Sequence, residues 1–202
     1  MQVTYDSLPE HLRYDTSIPK DSPAHVLNRQ AYLYLNHLQN RFLIDRVAIA
    51  KGYPNEQKLL DTALEMMDLT TMFWIKRDQL MRWCSAFDWI ITCYGIPCAG
   101  VMCVELLKQA SGQSVLEMSR SDAIQKLTMF IGFLEWVRPT DGNYLLAGRL
   151  KKVVRRILDR VLDPPKEIPG DGMVDFPIDP ELAVFGEMDW LNTVDWTQGS
   201  WI

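Results

Sequence analysis

Apolar residues recur at three- and four-residue spacings along most of the chain, which is the pattern of amphipathic helices. The first such run begins after Ser22 and ends near Lys51. Serine can cap a helix and the proline that follows it tolerates the first turn, while a glycine and a proline come soon after Lys51. We therefore predict one long helix whose core-facing stripe includes Leu27, Ala31, Leu35, Leu38 and Phe42.

Caps and helix-breaking residues delimit the later helices. We predict a helix that Asn55 caps and that ends at Lys76, followed by helical residues from Gln79 to Ala110 that a turn at Gly95 divides. A further helix begins at Ser121 with Asp122 and is stopped by Pro139. The last helix is predicted from Tyr144 to Leu162, with Thr140 or Asp141 as its cap. Since no run alternates with a period of two, we predict an all-α body of about six helices.

The most apolar stretch covers residues 88–104, and after Asp88 it contains the longest run without a charged side chain, residues 89–104. Gly95, Pro97 and Gly100 interrupt it, and a membrane-spanning helix needs about 20 consecutive apolar residues. We therefore predict two buried helices that meet at a fixed corner rather than a membrane span. In this corner Gly95 takes a positive φ to end one helix and Pro97 begins the next.

Composition offers little for catalysis or metal binding. The spacings of Cys84, Cys93, Cys98 and Cys103 match no zinc pattern, and their apolar surroundings predict buried free thiols with raised pKa values. The three histidines lack companion ligands, and no nucleophile, phosphate-loop or metalloprotease motif is present. We expect no enzyme activity, no metal and no cofactor. The first 20 residues lack a secretory signal, so an intracellular protein is expected.

Charge divides the chain unevenly. Residues 171–202 hold seven acids and no Lys or Arg, and the remaining 19 acids are set against 21 basic residues. We divide the chain into an extended lead-in (1–21), an all-α body (22–165) and an acidic-aromatic tail (166–202). The nearly neutral body does not suggest direct DNA contact.

The tail surrounds bulky apolar residues with acids, as amphipathic activation segments do. Its candidate partner-binding residues are Phe176, Phe185, Trp190, Trp196 and Trp201. Alternatively, the tail packs back on the body, for example on the last helix. That helix carries cations opposite its apolar stripe, which is also typical of a solvated outer face, a phosphate-binding surface or an interfacial membrane helix.

The order of several motifs resembles the middle homology region of fungal zinc-cluster transcription factors. The matching segments are LNHLQNRFLIDRV, LLDTALEMMDLT, FDWIITCYGIPCAGVMCVELLKQ and FLEWVRPTDGNY, and MDWLNTVDWTQGSWI is similar to the C-terminal end of some members. The resemblance covers roughly residues 5–165, and its most specific element is Y-G-[IL]-P-x-A-G at residues 94–100. It implies an all-α regulatory domain of a nuclear protein.

Members of that family bind DNA through an N-terminal six-cysteine cluster that holds two zinc ions, and this chain has no such segment. We assign no zinc ligand or base contact to it, and expect a fragment, a truncated product or a member without the DNA-binding module. Its expected partners are the transcription machinery or co-regulators, and a homodimer is a further candidate. The alternative hypothesis is a small-molecule sensing domain with its pocket beside Gly95 and Pro97.

Overall fold

The computed structural model describes residues 5–14, 23–80, 87–140 and 142–163. Regular structure in these ranges is helical and comprises a 3₁₀ turn, Glu10–Leu12, and six helices. The helices are α1 (Ala24–Ala50), α2 (Glu56–Ile75), α3 (Arg77–Leu80), α4 (Phe87–Ala110), α5 (Arg120–Leu134) and α6 (Tyr144–Leu162). The prediction of an all-α body with about six helices is confirmed.

Helix α4 lies at the centre of the packing, since it contacts α2, α5 and α6, while α1 packs along α2. The core between these helices is rich in fully buried aromatic side chains: Phe42, Phe73, Tyr94, Phe130 and Phe133. Burial of an aromatic ring contributes strongly to stability, but a buried tyrosine hydroxyl needs a partner. The Tyr94 hydroxyl donates to Oδ1 of Asn36 on α1 at 3.1 Å, and this hydrogen bond links α4 to α1.

Two glycines allow the sharp turns after α1 and α4. Gly52 has φ +83° and Gly112 has φ +69°, which L side chains rarely adopt. The turn from α1 to α2 is also held by Asn55, whose Nδ2 donates to Oδ1 of the buried Asp45 at 3.0 Å. Asn55 precedes α2 as predicted, but its side chain bonds Asp45 and makes no cap hydrogen bond.

Two predicted caps are wrong. Helix α5 begins with Ser119 as its cap instead of Ser121, because the Ser119 Oγ accepts a hydrogen bond from the backbone N–H of Asp122 at 3.3 Å. Helix α6 follows Asn143 instead of Thr140 or Asp141. The side chain of Asn143 forms hydrogen bonds with α4, and the apolar periodicity of the sequence cannot predict such a contact.

The lead-in is turned in its described part, although an extended segment was predicted. Residues 5–14 include the 3₁₀ turn and lie against α1. Gln30 Nε2 on α1 donates to the His11 carbonyl at 3.1 Å, and the Tyr5 ring stacks on His37 with 4.6 Å between ring centroids. This segment therefore covers part of the α1 surface.

Helix α4 is, by length and composition, apolar enough to cross a membrane, with 24 residues. However, 78% of its most apolar 18-residue window is buried inside the protein. Such burial is typical of a core helix, because a membrane span needs an apolar surface that faces lipid.

Candidate functional site

The predicted corner at Gly95 is absent. The helix runs from Phe87 to Ala110 without a turn, and Ile91–Gly95 forms a π-helical segment inside it. Gly95 has φ −67° and ψ −47°, so it is right-handed helical and the predicted positive φ is wrong. The N–H of Ile96 donates to the Ile91 carbonyl, which is the i to i+5 bond of a π turn.

The π segment accommodates Pro97 within the helix. In a regular α-helix residue 97 would donate to the carbonyl of Cys93, but proline has no N–H and its ring clashes with that carbonyl. Gln39 on α1 instead donates its Nε2 to the Cys93 carbonyl at 3.2 Å. The helix therefore continues through Pro97, because the π bulge makes room for the proline and a side chain of α1 bonds the carbonyl left without its helical donor.

Gly95 is required for close packing, not for an unusual backbone conformation. A Cβ at this position would lie 2.4 Å from Cε2 of Phe130 on α5 and 3.2 Å from Cγ2 of Thr70 on α2. Gly95, Pro97 and Gly100 are all buried in α4. The Tyr94–Gly100 motif thus includes a position, Gly95, where α4 packs closely against both α5 and α2.

The thiols of α4 are buried as predicted. Cys93, Cys98 and Cys103 are free and buried. Burial raises the pKa of Cys93 and Cys103 to about 12, and raises that of Cys98 further. They are poor nucleophiles, because reactivity requires the thiolate. The described residues contain no group of three or more His, Cys, Asp or Glu that could hold a metal ion.

Tyrosines and a histidine form a cluster that was not recognised from sequence. His37 on α1 is buried and stacks on Tyr5 and Tyr34, with centroid distances of 4.6 and 6.1 Å. Burial, with a contribution from Arg41, lowers the pKa of His37. Tyr34 donates its hydroxyl to Glu65 on α2, and its pKa is raised by burial and by this bond. The cluster joins the lead-in to α1 and α2.

A polar junction fixes the start of α6 against α4. Asn143 Nδ2 donates to Asp88 Oδ2 at 3.1 Å and to Thr92 Oγ1 at 3.0 Å. The Thr92 hydroxyl donates in turn to the Asp88 carbonyl at 2.8 Å. This junction links the residue before the first turn of α6 to α4.

The first turn of α6 carries an exposed apolar surface. Leu145 is 74% exposed, and Tyr144 and Leu146 are 43% and 41% exposed. Three- and four-residue spacing predicts a buried stripe that includes both Leu146 and Leu150. Leu150 is buried as predicted, but the prediction for Leu146 is wrong, because Ala147 faces the core in its place. Three consecutive apolar residues cannot all face one side of a helix, so at least one of them had to be exposed.

Cations surround this apolar turn. An open depression of about 420 Å³ lies between the end of α5 and the start of α6, and its lining includes Tyr144, Leu145, Arg149 and Lys152. Glu135 of α5 accepts from Arg155 at 2.6 Å, and its Oε1 lies 3.7 Å from Lys151 Nζ. The whole of α6 holds six basic residues and one acid, Asp159, so the surface stays cationic. We call Tyr144, Leu145, Leu146, Arg149 and Lys152 the α6 surface.

The predicted partner-binding residues of the tail lie outside the described residues. These are Phe176, Phe185, Trp190, Trp196 and Trp201. The predicted effector pocket beside Gly95 and Pro97 also stays a prediction, since the α5–α6 depression does not touch either residue and Phe130 fills the space next to Gly95. The α6 surface is thus the candidate site that the described residues offer.

No protein-family model, curated protein or solved structure matches the chain.

Proposed function

We propose that the chain is a regulatory domain of a fungal transcription factor that acts in the nucleus through protein–protein contacts. The observation that carries the proposal is the order of motifs in the sequence, with Tyr94–Gly100 as its most specific part. The packing around this motif supports the proposal, because two of its residues, Gly95 and Pro97, have a specific role there. Gly95 allows α5 to approach, and Pro97 is accommodated by a π segment and Gln39.

The acidic-aromatic tail is the proposed contact with the transcription machinery or a co-regulator. Seven acids within residues 171–202 surround the aromatic residues, and this composition is typical of segments that bind an apolar groove on a partner. Trp190 and Trp196 each have an acid directly before them in sequence, which makes them the best candidates for insertion into such a groove. DNA binding and zinc belong, in this proposal, to the separate N-terminal cluster of the family.

A reporter assay tests the tail. Residues 167–202 are fused to a heterologous DNA-binding domain and transcription of a reporter gene is measured. We expect activation above the DNA-binding domain alone, and a large loss when Trp190→Ala and Trp196→Ala are combined, because buried aromatic anchors dominate such contacts.

The matched control is the pair Thr193→Ala and Thr197→Ala, which lies in the same segment and leaves the aromatic residues and the acids unchanged. It should keep most of the activation. A fusion that does not activate, or one whose activity does not depend on the two tryptophans, would contradict this part of the proposal.

A small-molecule sensing domain is the alternative function. Its expected pocket lies beside Gly95 and Pro97, where Phe130 and Thr70 are in close contact, so we prefer the first proposal. Thermal shift measurements against metabolite pools address the alternative. A reproducible rise in Tm with one pool would support it, and flat curves throughout would count against it.

A further inference from the structure

We propose that the acidic-aromatic tail of this chain docks on the α6 surface. The proposal concerns an intramolecular contact between residues 171–202 and the exposed start of α6. It does not require the tail to be an activation segment, and it is tested independently of transcription.

Apolar exposure on α6 is the first observation. Leu145 is 74% exposed beside the half-exposed Tyr144 and Leu146, at the edge of the depression between α5 and α6. Exposed apolar patches rimmed by polar groups mark interaction sites more often than chance exposure does. Gly148 leaves open space beside this turn, since nothing lies within 4 Å of where its Cβ would be. The surface can therefore receive bulky side chains.

Charge identifies the occupant. The α6 surface adds Arg149 and Lys152 to the exposed leucines, and Lys151 and Arg155 lie beside it with Glu135 as their shared acid. The partner that fits is therefore both acidic and apolar. Residues 171–202 have this composition, with seven acids, no Lys or Arg and five aromatic residues. Opposite charges across the contact would steer the docking and fix its register.

Chain length permits the contact. Along α6, Leu145 lies 17 residues before Leu162, which is a distance of about 26 Å at 1.5 Å per residue. The nine residue steps from Leu162 to Asp171 can span up to about 30 Å. Residues later in the tail have a longer connector, and because they belong to the same chain their effective concentration at the surface favours even weak contacts. A separate partner would need a comparable local concentration to compete.

Zero-length carbodiimide crosslinking of the full chain tests the proposal. The reagent joins a lysine amine to a carboxylate only when the two are in contact, and mass spectrometry identifies the joined peptides. We expect Lys151 or Lys152 to be joined to acids of residues 171–202 within one chain. Mixing ¹⁵N-labelled with unlabelled protein distinguishes crosslinks within a chain from those between two copies.

A variant removes the docking contacts and keeps both reporter lysines. Leu145→Ser with Arg149→Glu changes two exposed residues, so the fold should be retained, and we expect these crosslinks to fall about fivefold or more, because apolar and charged contacts are lost together. The matched control is Val115→Ser with Lys51→Glu, the same two types of change at exposed positions elsewhere. The control should leave the crosslinks unchanged, and melting curves of both variants verify folding.

Several results would overturn the proposal. These are the absence of tail crosslinks to Lys151 and Lys152, equal crosslinking in the Leu145→Ser, Arg149→Glu variant, crosslinks spread evenly over all exposed lysines, or crosslinks found between copies only. Binding of a DNA duplex or an anionic vesicle that depends on Leu145 and Arg149, in the absence of tail crosslinks, would assign the surface to a different occupant and equally overturn it.

Discussion

Replacement of Gly95 by alanine tests whether close packing, and not backbone conformation, explains this glycine. The added Cβ would lie 2.4 Å from Cε2 and 2.7 Å from Cζ of Phe130, and 3.2 Å from Cγ2 of Thr70. Phe130 is fully buried, so its ring cannot move into solvent, and either the ring or helix α5 must shift within the packed core. Overpacking of this kind costs about 1–3 kcal/mol.

Helix propensity acts in the opposite direction. Since Gly95 is right-handed helical, alanine should gain about 1 kcal/mol of propensity. Because a 2.4 Å contact is far below normal carbon–carbon separations, we expect the overpacking cost to lie in the upper half of its range, about 2–3 kcal/mol. The net expectation for Gly95→Ala is therefore a loss of about 1–2 kcal/mol from the free energy of unfolding. Gly95→Val should lose more, because a larger side chain meets the same ring.

Gly148→Ala is the matched control for this prediction. Gly148 is also helical, but no atom lies within 4 Å of its Cβ position. Here the propensity gain is unopposed, so we expect a stabilisation of about 0.5–1 kcal/mol. Urea unfolding of the two variants measures both effects, and they should have opposite signs.

A double-mutant cycle identifies the contact itself. Phe130→Leu replaces the ring that the Cβ of Gly95→Ala would contact with a smaller side chain. The double variant should therefore be more stable than the sum of the two single effects predicts. If Gly95→Ala is as stable as the unchanged protein, or if the two changes are additive, the packing argument is refuted.

Three further predictions concern the same core. Gln39→Leu removes the donor to the Cys93 carbonyl and should lower the free energy of unfolding in urea by about 1–2 kcal/mol. Asn40→Leu, on the exposed side of α1, should change stability little, and equal effects of the two variants would contradict the role given to Gln39. Cys93, Cys98 and Cys103 should not react with a thiol reagent at pH 8 until urea is added, because they are buried and their pKa values are raised to about 12 or above; labelling of the folded protein at any of them, read by mass spectrometry, would be inconsistent with this burial. The pKa of His37 is lowered from 6.5 in the folded state, so the unfolded chain binds more protons and the free energy of unfolding should fall as the pH drops through 6.5. His37→Gln should reduce this pH dependence in urea unfolding, and an unchanged pH profile would contradict the lowered pKa.

Helix periodicity and caps were enough to predict most helix boundaries. The last helix was predicted from Tyr144 to Leu162, and α6 has these bounds. The polar break at Lys76 separates α2 from α3 as expected. These features depend on local sequence, because a helix requires a repeating apolar face and ends where glycine, proline or polar residues interrupt it.

Tertiary contacts account for the features that were predicted wrongly. A glycine with a proline soon after it commonly ends a helix. Here Pro97 has no N–H to donate to the Cys93 carbonyl, and Gln39 on α1 donates to that carbonyl instead. The π segment lets the helix continue. The sequence contains no local sign that Phe130, 35 residues away, packs on Gly95. Similarly, the side chain of Asn143 bonds Asp88, 55 residues away, and no local pattern predicts this contact.

The proposed site was only partly accessible from sequence. Six cations on the last helix and an acidic tail were evident, and a contact between them was one of two open hypotheses. The exposed leucines beside those cations were not anticipated, because a stripe drawn at ideal helical spacing placed Leu146 in the core. Only the packing of α6 against α4 and α5 shows that its first turn faces outward.

The most direct test of the proposed function is transcription of a reporter gene under control of the full 202-residue chain fused to a heterologous DNA-binding domain. The account predicts a change in transcription relative to the DNA-binding domain alone, and a loss of that change when Trp190→Ala and Trp196→Ala are introduced together. Transcription that is the same with and without the fused chain, while the fusion is present in the nucleus at a normal level, would contradict the account.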